Sequence, residues 1–185
     1  KNQEKWPIMQ PLLADPALAP ESVDVFQSAE LFMELLRIRK SSKLLRLEAA
    51  DQIMNRQAFH NTGPTQIPGL IVMSIEDDYG DIDLTNELIV VLFNAGDDPV
   101  SFDFAHGGRD FGLHPIQAES VDSVVQTASY DAGIGAFNVP ARTTAVFLAQ
   151  RPIGEQIDVL VDEVDKLEAA GVLNGGRANS LTAKL

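Results

Sequence analysis

The densest run of groups able to do chemistry is Glu76-Asp77-Asp78-Tyr79-Gly80-Asp81-Ile82-Asp83. Carboxylate oxygens are the ligands calcium prefers, so Asp77, Asp78, Asp81 and Asp83 form a candidate calcium site. The spacing departs from an EF-hand loop, because Gly80 is out of place and no bidentate Glu closes the run. The same residues also read as a solvated loop between two strands. A second candidate is Trp6, the single tryptophan of a chain that is only 6% aromatic. Sugar platforms use exposed aromatic faces, so Trp6 is the candidate substrate-binding residue, with packing against a neighbouring part of the protein as the other reading. Tyr79 and Tyr130 are too few to build a platform. The histidines His60, His106 and His114 are too scattered for a metal-ligand motif. His60 precedes Asn61-Thr62-Gly63-Pro64 and is expected to stabilise a turn, His106 falls in a predicted loop, and His114 is held extended by Pro115. Gly107-Gly108 and Gly133-Ile134-Gly135 match neither a P-loop nor a dinucleotide fingerprint and read as turns. No catalytic residue is assigned.

Composition removes several function classes. A formal charge of -13 argues against nucleic-acid binding, which needs clustered cations. The nearest approach to a basic patch, Arg37, Arg39, Lys40, Lys43 and Arg46, falls at the end of a predicted helix, where cations meet the dipole favourably. The absence of cysteine excludes disulfides, thiolate chemistry and thiolate zinc sites. No run approaches the roughly eighteen apolar residues of a membrane span. At 185 residues and 45% hydrophobic, the chain suits one ordinary domain with a small appendage. It begins at Lys1 without an initiator Met and reads as cut from a longer precursor.

The elements that would position these residues fall into three stretches. Pro7, Pro11, Pro16 and Pro20 predict a mostly irregular start over residues 1–23. Asp24-Val25-Phe26-Gln27 reads as a capping box opening a helix to about Lys40, with Leu31, Leu35 and Ile38 on one face and Phe32 and Leu36 widening it. Such a broad apolar surface must be covered. Between 41 and 150, short β-branched or aromatic runs at 58–60, 70–75, 88–93, 100–104 and 144–148 alternate with turn residues, and a short helix is expected at 50–55. Asn94 to Pro99 reads as a hairpin loop. Beyond Gln150, Ile157, Leu160, Val161, Val164 and Leu167 recur at helical spacing opposite acidic residues. Gly171 is placed as a left-handed stop accompanied by a hydrophobic contact from Val172, and a second helix runs from about Arg177 to Leu185. The expected fold is therefore mainly β: an antiparallel β-sandwich with an N-terminal helix and a C-terminal helical hairpin. The apolar stripe of the tail could also mediate self-association.

Phe59 to Ile71 (FHNTGPTQIPGLI), running into Val72-Met73-Ser74-Ile75-Glu76-Asp77, and Asn138-Val139-Pro140-Ala141-Arg142-Thr143-Thr144-Ala145-Val146-Phe147 carry a resemblance. With Leu113-His114-Pro115-Ile116-Gln117, they resemble the C-terminal region of pullulanase-type α-1,6-glucosidases, starch-debranching members of the α-amylase superfamily. The resemblance implies that residues 1–40 are the end of a catalytic (β/α)8 barrel, including its final helix, and that 41–150 are the β-sandwich behind it. Residues 151–185 are set apart: Glu155–Leu160, Gly171–Gly176 and Ala178–Leu185 resemble the beginning of a FIMAH module, a small helical domain appended to secreted bacterial enzymes. By that resemblance the catalytic carboxylates lie upstream of Lys1 and this chain alone is inert. Its implied partners are the barrel of the same parent and, through the parent, α-glucans such as pullulan and amylopectin. The implied location is extracellular or at a bacterial cell surface. An α-glucan- or calcium-binding accessory module is the alternative.

Overall fold

The computed structural model describes residues 2–104 and 108–185. The proline-rich start departs from the irregular chain expected, because Trp6–Ala14 forms a helix, α1, and Pro16–Leu18 a single 3-10 turn. Pro7 sits in the first turn of α1, where a missing N–H costs nothing, while Pro11 leaves the helix one hydrogen bond short. No residue of α1 is buried. Helix α2 spans Ser22–Ser41, beginning earlier than expected. Its capping box is reciprocal between Glu21 and Asp24, so Asp24 is the inner partner of the box rather than the cap. Arg39 and Lys40 lie in its last turn, as the dipole favours.

Helix α3 (Ala50–Arg56) leads into a five-stranded antiparallel sheet. Its strands are β1 (Gln57–Phe59), β2 (Leu70–Glu76), β3 (Asn86–Asn94), β5 (Gly112–Leu113) and β8 (Thr143–Gln150), in the order β1-β2-β3-β8-β5. A second, three-stranded antiparallel sheet holds β4 (Val100–Asp103), β6 (Ser129–Asp131) and β7 (Ala136–Val139), with β7 in the middle. The short helix α4 is Pro115–Ala118; the tail forms α5 (Ile153–Ala169) and α6 (Gly175–Thr182). Helices cover more of the chain than strands, so the expectation of a mainly β chain does not hold. The excess lies in α1, α2 and α5, which flank the sheets at either end of the sequence.

Burial explains why β3 reads as a continuous apolar run. Leu88, Val90 and Leu92 face a core shared with Phe104, Phe137 and Val139 of the second sheet region, while Ile89 and Val91 face the opposite side. That opposite side is covered by Ile38 of α2 and Leu44 of the segment after it. The inner core is an aromatic cluster centred on Phe137, whose ring lies 4.7–5.4 Å from those of Phe147, Tyr130, Phe111 and Phe104.

Asn94 to Pro99 is not the hairpin loop expected. Strand β3 pairs with β2 and β8, whereas β4 pairs with β7, so this segment carries the chain from one sheet to the other. The Asn94 side chain holds the corner: its Nδ2 donates to the carbonyls of Asp98 and Pro140, each at 2.9 Å, and its Oδ1 accepts from the Gly96 N–H. The sequence marks the turn, but which strand follows is decided by long-range pairing.

The tail follows the expected stop. Gly171 has φ +72, its N–H reaches the Glu168 carbonyl, and that of Val172 reaches Leu167. Val172 itself is 65% exposed. Helix α6 starts at Gly175, with Asn174 capping the Arg177 N–H at 3.0 Å.

Candidate functional site

The acidic loop connects β2 to β3, and each of its four aspartates has partners within the protein. Asp77 is 1% exposed; its Oδ2 accepts from the N–H groups of Ile82 (3.1 Å) and Asp83 (2.8 Å). Asp81 forms a fork with Arg56, at 2.7 and 2.8 Å from Nη2. Asp78 meets Arg109 at 3.5 Å. Asp83 accepts from Thr85 N, Asn86 N, Asn86 Nδ2 and Ser42 Oγ. Burial pushes the pKa of Asp77 up, and the neighbouring Asp81 carboxyl reinforces the rise. Burial also opposes ionisation of Asp81, but hydrogen bonds with Asp77 and Arg56 outweigh it and hold its pKa below the usual range. At Asp83, burial is outweighed by the bonds from Asn86 and Ser42, again leaving the pKa lowered.

These contacts make the loop a junction. It joins the end of α2 through Ser42, α3 through Arg56 and the start of β3 through Asn86. Among the described residues, no group of three or more His, Asp or Glu side chains has the arrangement to hold a metal ion. Nor does the Asp77–Asp81 pair offer hydrolytic chemistry. Two carboxylates can cleave a glycosidic bond when they flank the sugar in an open site, and Asp77 is sealed from solvent.

His114 and His60 are held by bonds within the protein. His114 Nδ1 accepts from the Ile116 N–H at 3.2 Å, which puts the ring proton on Nε2, 3.0 Å from Ser41 Oγ. Ser41 in turn donates to the Ile38 carbonyl at 2.7 Å, so the chain of bonds closes on α2. Burial lowers the His114 pKa. The His60 carbonyl accepts from the Thr62 N–H at 3.1 Å in the turn that follows, while its Nε2 lies 2.7 Å from Ser74 Oγ on β2 and its ring stands edge-on to Phe104. Those atoms are a nucleophile and a base, but Ser74 is buried beyond the reach of a polysaccharide. His106 lies outside the described residues.

The larger surface feature is α2 itself, which has two opposed faces. Glu34 and Ile38 are buried against the sheets, and Glu34 accepts from Ser120 Oγ at 2.7 Å and from the Val121 N–H at 3.1 Å. At about 100° per residue, Val25, Phe26, Phe32, Met33 and Leu36 fall on the other side. There Phe26 is 70% and Phe32 60% exposed. Trp6 is 55% exposed on α1 and is accompanied by exposed Ile8, Met9, Leu12 and Leu13. Exposed Gln3 and Gln10 lie three residues before and four after it, so both apolar and hydrogen-bonding groups flank the ring. The sequence showed the breadth of the apolar face on α2; it did not show Glu34, whose burial depends on a loop far along the chain.

A groove of about 640 Å³ runs beside β5, lined among others by Glu87, Arg109, Phe111, Leu113, Leu148 and Pro152. Arg109 is engaged there by Glu76 and Glu87, both at 2.8 Å. Burial opposes its charge, yet those two carboxylates outweigh burial and raise its pKa. Phe111 is buried and gives the groove no stacking surface.

Residues 1–150 match the family model for the C-terminal part of pullulanase-type α-1,6-glucosidases. The chain is 46% identical over 158 residues to the chloroplastic Pullulanase 1 of Arabidopsis thaliana, covering 82% of this chain and 16% of that protein. It is 30% identical over 140 residues to the pullulanase of Klebsiella pneumoniae, covering 74% and 12%. The crystal structure of apo pullulanase from Klebsiella pneumoniae superposes with a TM-score of 0.64 at 29% identity, over 72% of this chain and 15% of that one. The maltotriose complex of PulA from the same organism gives 0.64 and 31%, over 72% and 14%. The chain thus spans less than a fifth of the relatives it matches, and those relatives are both plant-plastid and bacterial. No helix among the described residues is long and apolar enough to cross a membrane. With a family model spanning residues 1–150 and pullulanase relatives in both sequence and structure, the chain belongs to the family of pullulanase-type α-1,6-glucosidase C-terminal regions.

Proposed function

We propose that this chain is the non-catalytic C-terminal part of a starch-debranching enzyme that hydrolyses α-1,6-glucosidic linkages, and that it packs on and stabilises the catalytic barrel of the same parent. The observation that carries this reading is the doubled face of α2. One side is held by Ile38 against the five-stranded sheet, by Glu34 on the loop of Ser120 and Val121, and by Ser41 beside His114; the other offers Phe26, Phe32, Met33 and Leu36 to solvent. Full burial of each such side chain contributes about 1.5–3 kcal/mol, and a contiguous apolar strip of this kind marks a contact surface. The exposed apolar side chains of α1, Trp6 included, offer a further apolar surface of the same kind. On this reading Trp6 contacts protein rather than glucan.

The corresponding division is 1–40 as the end of the barrel, 41–150 as a β-sandwich formed by the two sheets, and 151–185 as a partial helical module. The parent would act on pullulan or on amylopectin-type branches. An exported bacterial parent is supported by the tail, which resembles modules found on secreted enzymes. The test is pullulan hydrolysis by the parent and by the 185-residue chain side by side. Sugar release by the parent alone supports the accessory role, and release by the short chain overturns it.

A further inference from the structure

The acidic loop holds one more part of the chain, the tail beyond residue 150. Arg151, the first residue after β8, is 4% exposed. Its backbone N–H donates to the Thr85 carbonyl at 2.8 Å. Its guanidinium donates to the carbonyl oxygen of Asp78 at 3.2 Å and to that of Asp77. Its own carbonyl accepts from Gln156 Nε2, inside the first turn of α5, at 2.8 Å. Nη1 and Nη2 thus each reach a carbonyl while the buried Nε has no partner, and because a buried guanidinium is costly without such bonds, these two tie the chain to the geometry that keeps them.

Gly80 supplies a second, independent contact. It has φ +68, and a Cβ built there would lie 3.1 Å from Val159 Cγ2 and 3.3 Å from Arg151 Nε. Only glycine satisfies both the backbone angle and the close approach of α5. Further along, α5 and α6 meet each other, with Val164 and Ala178 buried. Helices of about this length are marginal on their own.

We propose that the acidic loop is the docking socket for the C-terminal helical hairpin, with Arg151 as the lock and Gly80 as the gap that admits Val159. The tail is then held at a fixed orientation rather than hung on a flexible linker. Because Asp83 of the same loop binds Ser42, the socket also links the tail to the end of α2. This assignment holds whether or not the chain packs on a barrel.

Hydrogen exchange on the full 185-residue chain tests it, comparing wild type with Arg151→Met and Val159→Asp. The expected result is at least tenfold faster exchange across 153–170 in both variants, with residues 88–92 of β3 unchanged. If Arg151→Met loosens β3 as well, Val159→Asp decides, because Val159 lies outside the core of the two sheets. Wild-type protection of 153–170 in Val159→Asp overturns the proposal.

Discussion

Replacing Glu34 by alanine separates the contacts that hold α2 on the sheets from those that build the sheets. Glu34 is 7% exposed and takes two hydrogen bonds, from Ser120 Oγ at 2.7 Å and the Val121 N–H at 3.1 Å. Hydrogen bonds to a charged group are worth about 1.5–3 kcal/mol each. Two features reduce the sum. Ser120 Oγ keeps a second contact with the Asp122 N–H, and Val121 is exposed enough for water to reach its backbone. Alanine also returns a few tenths of a kcal/mol of helix propensity. The net expectation is a loss of about 2–4 kcal/mol for Glu34→Ala and about half that for Glu34→Gln, which keeps one acceptor oxygen. For a domain of this size that corresponds to a fall in Tm of roughly 4–16 °C for the alanine variant. Urea unfolding followed by far-UV circular dichroism reads it directly. A change below about 0.5 kcal/mol in Glu34→Ala, the scatter of ordinary surface substitutions, refutes the claim that this carboxylate anchors the helix.

Three further outcomes follow from the packing. Phe137→Ala removes the centre of the aromatic cluster and should cost about 3–5 kcal/mol by urea unfolding, whereas Phe32→Ala on the open side of α2 should cost less than about 0.5 kcal/mol in the isolated chain. Burial lowers the folded-state pKa of His114 below its ordinary 6.5, so the unfolded chain binds the proton first. That contribution to stability is present above pH 6.5 and is lost as pH falls through the folded-state value. The urea midpoint should decline between pH 7.5 and 5.5, and His114→Gln should flatten the decline.

Much of the local structure was legible in the residues. Strands at 70–76, 86–94 and 143–150 and the helix at 153–169 lie where their patterns put them, because each buries residues whose spacing is written in the chain, and a helix is found at 50–56 as expected although it buries no residue. Strands β5, β6 and β7 escaped notice: two to four residues show little alternation, and they are strands because β8 pairs with β5, and β4 and β6 pair with β7 on either side. Helix α1 escaped because four prolines in twenty-three residues read as irregular chain, although Pro7 sits where a helix tolerates it. The acidic loop stood out for its charge, but its partners did not. Arg56, Arg109 and Arg151 are separated from it in sequence by tens of residues, and only the fold places them against it.

The central claim is that the open face of α2 meets the catalytic portion of a parent enzyme. Its most direct test is the thermal inactivation of pullulan hydrolysis in the parent carrying Phe32→Asp and Leu36→Asp together. Charges placed on a buried apolar contact should lower the inactivation midpoint by roughly 5 °C or more, while the same pair in the isolated 185-residue chain leaves its Tm unchanged. An inactivation midpoint equal to wild type would contradict the account, because the face would then be open in the parent as well.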